Sequence, residues 1–273
     1  MLLKFFLLFI LFVSSYAGES LLAESAKSDG DSRDAVWYTK IHPTVEAAIY
    51  MSDFQGTLSN AAPSVIDFKD DFKYPNSTSS FFSVETRFDY DYVPNIYISY
   101  FNMVQKNDVA FNRTVTMVST QFTNAATNID NKVFNVVVFQ DFKAKGAVKK
   151  GFYLGDIELD IGANLKVIDY IVEMKDNANP SAIYMYDKVD ANIVLPYAGF
   201  KYYRYNFVLY GNISSLSYSE SKATGYQFGI EYRVVSNIYL GYSYMYEDFQ
   251  AIEKKDHIDF KTVGNKFSIK YAF

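Results

Sequence analysis

Asp259-Phe260-Lys261-Thr262-Val263-Gly264-Asn265-Lys266-Phe267-Ser268-Ile269-Lys270-Tyr271-Ala272-Phe273 reads as a strand with two unlike faces. Val263, Phe267, Ile269, Tyr271 and Phe273 fall on one parity; Gly264, Lys266, Ser268, Lys270 and Ala272 fall on the other. Successive strand side chains point to opposite faces, so one face is apolar and the other small or charged. A last strand of this kind, ending on an aromatic, is expected to close a membrane-spanning barrel against its first strand, with the ring at the lipid boundary.

The same period recurs upstream. Ile157, Leu159, Ile161, Ala163, Leu165 and Val167 alternate with Asp156, Glu158, Asp160, Gly162, Asn164 and Lys166. A helix would scatter those charges around its axis. Phe82, Val84, Thr86, Phe88 and Tyr90 alternate with Ser83, Glu85, Arg87, Asp89 and Asp91. Ten strands are expected, over about 42–54, 80–92, 96–104, 129–142, 156–167, 186–195, 201–215, 223–234, 238–249 and 259–273. Pro196 ends the sixth; the seventh points Tyr203, Tyr205, Phe207, Leu209 and Ile213 outward. Val93-Pro94-Asn95 and Val235-Ser236-Asn237 are short turns, whereas 55–79, 105–128, 175–182 and 251–258 are long polar connections. Single-chain bacterial barrels have an even strand number, with termini and short turns on the periplasmic side. That parity is met if 105–128 is one extracellular excursion. The fold class is therefore all-β, a membrane-spanning antiparallel up-and-down β-barrel of 10 strands, with 12 or 8 as alternatives.

The composition suits a barrel. Hydrophobic residues make up 49% of the chain, with 25 Tyr and 24 Phe, enough aromatics for two girdles. Beyond the first residues no run reaches the roughly 18 apolar residues of a membrane helix. Lys4, the apolar run Phe5 to Val13 and Ser15-Tyr16-Ala17 read as a signal peptide over 1–17. Residues 18–35 read as a flexible periplasmic segment, and 36–273 as the barrel, with Trp37 as an interfacial anchor. The absence of Cys removes disulfide and thiolate-metal sites. A net charge of −5 argues against nucleic acid as a partner.

With these residues placed, the chain resembles a family of Gram-negative outer-membrane β-barrel proteins of unassigned activity. Val36-Trp37, Val93-Pro94-Asn95-Ile96, Leu159-Asp160-Ile161-Gly162-Ala163-Asn164-Leu165-Lys166, Leu195-Pro196, Gly241-Tyr242 and Phe273 carry the likeness. Phe134-Asn135 stands where similar proteins have a Tyr pair. Lys266-x-Ser268-x-x-Tyr271-x-Phe273, with Phe267 inside it, resembles the signal read by the barrel-assembly machinery, with Ser in the usual Gly position. The resemblance implies a fold, an integral outer-membrane location and that assembly partner, and no catalytic residues.

Chemistry is sparse. His42 and His257 are the only His, and Asp256-His257-Ile258-Asp259 reads as a solvated rim. Lys143, Lys145, Lys149 and Lys150 read as a solvated basic turn. No Gly-rich phosphate loop or metal-ligand spacing occurs, so no cofactor, no metal and no enzymatic activity are expected. The polar parity instead collects charges in the lumen: Glu46, Glu85, Arg87, Asp89, Asp156, Glu158, Asp160, Lys166, Arg204, Glu231, Arg233, Lys266 and Lys270. Asp91, Asp190, Glu247 and Lys188 are placed with them. Glu46 is expected near Lys266 or Lys270, and Arg204 near Glu231. A structural or surface-interacting barrel with a narrow, charge-filled lumen follows. The alternatives are a small gated channel for a narrow solute and, more distantly, an outer-membrane enzyme. Outer-membrane lipid and lipopolysaccharide are the expected surroundings; the sequence names no surface ligand.

Overall fold

The computed structural model describes residues 41–60, 65–74, 76–90, 93–117, 120–146, 148–149, 152–177, 184–218, 221–253 and 256–273. The expected signal peptide, the 18–35 segment, Trp37 and Asp91 lie outside them. The chain is all β. Its long strands are β1 (Ile41–Asn60), β3 (Ser77–Phe88), β4 (Asn95–Met117), β5 (Thr120–Ala144), β8 (Asp156–Asp176), β9 (Tyr184–Arg204), β10 (Phe207–Tyr218), β11 (Ser221–Val235), β12 (Ile238–Glu253) and β13 (Asp256–Ala272). Short β2 (Ile66–Asp67) adds to β1, while β6 (Val148–Lys149) and β7 (Phe152–Tyr153) pair with each other. Each long strand pairs antiparallel with the next, and β13 pairs back onto β1, so ten strands close a ring without edges at its base.

Followed from strand to strand, the register starting at His42 returns to β1 at Phe54, about twelve residues further along. For ten strands that stagger means a tilt of about 40° and a backbone radius of about 10 Å.

Several connections differ from the sequence reading. Region 105–128 is no loop: β4 and β5 continue through it as one hairpin to Met117 facing Thr120, with a register shift between Ala110 and Val115. Segment 251–258 is also mostly strand, as β12 runs to Glu253 and β13 starts at Asp256. β9 runs through Pro196 to Arg204, and Tyr205-Asn206 makes the turn, with Tyr205 in the left-handed region at φ 54°. Pro196 is tolerated because the ladder to β10 ends at Tyr197 opposite Ser214. A proline has no N–H to give a neighbour on that side. Tyr202 rather than Tyr203 faces out, and Tyr203 meets Glu158 inside.

The strands share a feature that a single alternation rule misses. Near the turns, apolar residues face out and polar ones face in. Ile157, Leu159, Ile161 and Leu165 are exposed while Glu158, Asp160, Asn164 and Lys166 are buried. Further along β8 the sense reverses: Ile168, Tyr170, Val172 and Met174 are buried and Asp169 looks outward. β1 reverses between Met51 and Phe54, and β13 between Phe267 and Phe260. With the stagger included, these reversals lie at one level. Below it an apolar band about nine residues deep along each strand girdles the ring, on the order of 25 Å tall, the thickness that lipid requires. Above it the walls enclose an ordinary apolar core. The connection between β1 and β3 folds into that core: Ile66, Phe68 and Phe72 are fully buried there. Its turn is held by Asp67 Oδ1, which accepts from the Lys69 and Asp70 backbone N–H groups. Asn107 Nδ2 donates to the Phe72 and Lys73 carbonyls, tying the connection to β4. Residues 68–72 form a turn.

A closed ring with a lipid-facing band, polar inside at the same depth, satisfies every constraint on a spanning sheet. The protein is an integral outer-membrane β-barrel.

Candidate functional site: the charged lumen

The inward parity of the lower strands delivers the charges. Glu46 on β1 and Lys266 on β13 meet at 2.7 Å where the ring closes, and Ser83 Oγ donates to Glu46 at 2.7 Å. Lys266 Nζ also stands 4.1 Å over the Phe81 ring. Lys270 pairs with Glu231 and faces Tyr210. Arg87 on β3 is the hub of the other side. It bonds Glu85, reaches Glu158 at 2.6 Å and Asp160 at 3.3 Å, and lies 3.4 Å from Asp141. Lys201 Nζ binds Glu85 at 2.8 Å.

Three of these links cross the bore. Lys166 on β8 pairs with Glu247 on β12, Lys201 on β9 with Glu85 on β3, and Arg87 on β3 with the β8 carboxylates. Such strands are three or four places apart in the ring. A bore of about 10 Å radius is narrow enough for paired long side chains to meet across it. Charges buried at this depth persist only when paired and hydrogen-bonded.

Above the pairs, neutral groups take over. Asn164 Nδ2 donates to Asn135 Oδ1 at 3.3 Å and to Ser214 Oγ at 3.2 Å. Gln227 Nε2 donates to Tyr210 and Ser243. A cavity of about 40 Å³ lies among these amides, Tyr97 and Glu247, room for a few waters. Gly225 lies beside it: a Cβ there would come within 2.7 Å of Glu247 Oε2 and 2.9 Å of Lys166 Nζ, so the ends of those side chains would have to shift. Higher still the bore is apolar. Tyr170 of β8 stacks on Phe260 of β13, the opposite strand of the ring, with ring centroids 4.9 Å apart.

Not every expected lumen residue is there. Asp89 lies at the exposed end of the barrel, 2.9 Å from His42 Nε2. Asp156 accepts the Gly146 backbone N–H at 2.8 Å at the rim. Arg204 lies on the outward parity of β9 with its guanidinium over the Tyr205 ring, and Glu231 takes Lys270 instead. The displaced turn at Tyr205 accounts for this, because it inverts the parity assumed for that strand. Arg233 is exposed and donates to Asn206 Oδ1 at 3.0 Å. Lys188 pairs outward with Asp190 at 2.9 Å. The sequence reading omitted Lys201 and Asp141. Lys201 stood at the start of a misplaced strand. Asp141 shares the parity of Asn135, opposite Phe134, Val136, Val138 and Phe142, and that was the available signal.

The terminal aromatics Phe267, Tyr271 and Phe273 face outward, and the Phe273 N–H donates to the Pro43 carbonyl at 3.0 Å. His257 is the second residue of β13, opposite Ile252 and Ser59, within the ladder and not in a rim loop.

No family model matches this chain, and no curated protein does. Among solved structures, it is similar to the outer membrane protease OmpT from Escherichia coli at 9% identity and a TM-score of 0.47, over 90% of this chain and 99% of that one. It is also similar to the translocator domain of the autotransporter NalP from Neisseria meningitidis, at 11% identity and a TM-score of 0.41, over 95% of this chain and 96% of that one. Neisserial surface protein A (NspA) matches at 11% identity and a TM-score of 0.35, over 85% of this chain and 97% of that one. The expectation that the protein has no enzymatic activity is corrected by this comparison: a protease stands among the barrels it resembles.

Proposed function

We propose that the protein is a barrel of the Gram-negative outer membrane that is shut along its axis and acts through its outer end. The turns Tyr205-Asn206 and Ser236-Asn237 lie in the periplasm, and the β1–β3 connection faces out, the sidedness of barrels with short periplasmic turns. The observation that carries this reading is the filling of the bore. Ion pairs cross it at membrane depth, and the Tyr170–Phe260 stack and the Phe68 and Phe72 side chains fill it above.

Planar-bilayer recording tests it. Wild-type protein should give no steady conductance, and stable open channels would overturn the closed reading. The polar cavity beside Lys166–Glu247 favours a second reading, a narrow gated channel. In that case the wild type should show brief small openings that lengthen in Lys166→Ala.

A further inference from the structure

The wall of the barrel is interrupted between β9 and β10. Tyr205-Asn206 joins these strands as a two-residue turn, so Arg204 and Phe207 beside it form a hydrogen-bonded pair. Such pairs recur at every second residue, so the even-numbered residues of β9 turn their backbone groups toward β10. Pro196 is one of them and has no N–H, and the ladder stops at Tyr197 opposite Ser214. Above that point β9 reaches up to Tyr184, paired with β8 alone. Among the described residues, no strand pairs with the free side of Val194, Asn192 and Asp190, or with that of Ser215 and Ser217 on β10.

The gap opens where the lipid ends. Val194 is the last apolar residue on the outer face of β9, and Asn192, Asp190 and Lys188 follow above it. The β10–β11 hairpin turns between Tyr218 and Ser221, while β12 rises past its last pair with β11, Gln250 with Lys222, to Glu253. The hairpin is therefore a low stretch of the rim, and the apolar core of the upper half is uncovered beside it. Val189, Ala191 and Ile193 on β9 and Ala251 on β12 pack against that core and are only partly buried. Leu216 of β10, on the inward parity of Ser214, is 42% exposed.

An unpaired strand edge beside uncovered apolar side chains is a template for another strand. A hydrocarbon would cover Ala191 and Ile193 but leave the backbone groups of Val194 and Asn192 unbonded. An extended polypeptide does both. A second copy does not fit through the same edge. Barrels in one membrane stand the same way up, so two β9 edges would run in the same direction, whereas a symmetric pair of identical edges runs antiparallel. We infer that the gap takes up an extended segment of another protein at the cell surface, as a strand added between β9 and β10. Its inward side chains are apolar, to cover Ala191, Ile193 and Leu216, and its outward ones polar, beside Asn192, Asp190 and Ser217. This deepens the reading that the barrel acts through its outer end, and rests on it.

The probe is a fluorescent hexapeptide of alternating Val and Thr, titrated by anisotropy against folded protein in lipid nanodiscs, where both ends of the barrel meet solvent. Sidedness is decided separately by labelling on intact cells, so failure there overturns the outer-end reading and failure here overturns the added strand. Heat-dependent gel mobility confirms that each variant is folded. Wild type should bind the probe, and methylation of the probe's alternate backbone nitrogens should abolish binding. Asn192→Pro removes one edge donor without touching the β8 ladder, as Pro196 does, and should weaken binding about tenfold. Asn192→Ala keeps that donor and should bind as wild type does. Ala191→Asp places a charge on the apolar side of the gap and should abolish binding. Equal binding by Asn192→Pro and Asn192→Ala, or by the methylated probe and the plain one, would reveal an apolar cleft indifferent to backbone pairing and overturn the added strand. Absence of binding to folded wild type would overturn it as well.

Discussion

At the residue scale, the Lys166–Glu247 pair shows how the lumen is held. Both side chains are largely buried, 3% and 16% exposed, and they join strands four places apart in the ring. Removing one partner strands the other away from bulk water. Lys166→Ala is expected to cost about 3 kcal/mol in urea unfolding from lipid vesicles. Lys166→Met combined with Glu247→Leu should recover most of that loss, since two apolar groups of similar size need no compensation. A double variant as unstable as the single one would mean that packing, not charge, holds the site. Gly225→Ala should destabilise in the same assay, because its Cβ enters the space of the ion pair. Gly162 is more constrained: a Cβ there would run into the Val138 carbonyl oxygen, which belongs to the backbone and cannot swing aside.

At the element scale, the long strands are composites. Each carries a membrane half and an aqueous half, and the meaning of its alternation inverts where the lipid ends. Leu159 and Ile171 share a face of β8 but lie on opposite sides of that level. Leu159→Arg should cost about 2–4 kcal/mol in vesicle unfolding if Leu159 lies near the bilayer midplane. Ile171→Arg, facing water above the band, should stay within about 0.5 kcal/mol. Equal costs would place both residues in lipid and move the boundary upward. The inversion also explains the length of β4 and β5, which extend well past the 9–11 residues or so that a membrane crossing needs.

At the scale of the whole molecule, the barrel is polar inside where it is apolar outside, and the reverse above. The lower half is shaped for lipid, the upper half is built like a soluble β-protein, and one continuous wall joins them. Among the described residues, the upper half therefore presents a cored surface. Cys introduced at Asn76 should label with a membrane-impermeant maleimide on intact cells, and Cys at Ser236 should label only after the outer membrane is permeabilised. Labelling at Ser236 alone on intact cells would turn the barrel over and remove the argument for an outward-facing platform.

What the sequence determined by itself is local. Period two over Ile157–Leu165 and Phe267–Phe273 sets which face of a strand meets lipid, because neighbouring side chains on a strand must point oppositely. From that follow the barrel, its location and the placing of Glu46, Lys266 and Lys270 on one inner wall. The end of β9 was not legible. Pro196 reads as a stop in a lone strand, and only the missing ladder to β10 makes it harmless there. Region 105–128 looked like a loop because its Asn and Thr residues have no lipid-facing run, yet strands above the membrane need none. The tertiary structure alone decided which charges meet. Lys201 with Glu85, Lys166 with Glu247 and Tyr170 with Phe260 lie far apart in the chain and four or five strands apart around the ring. Their contact depends on the strand number and stagger that set the width of the bore, a property of the closed sheet and of no single stretch in it.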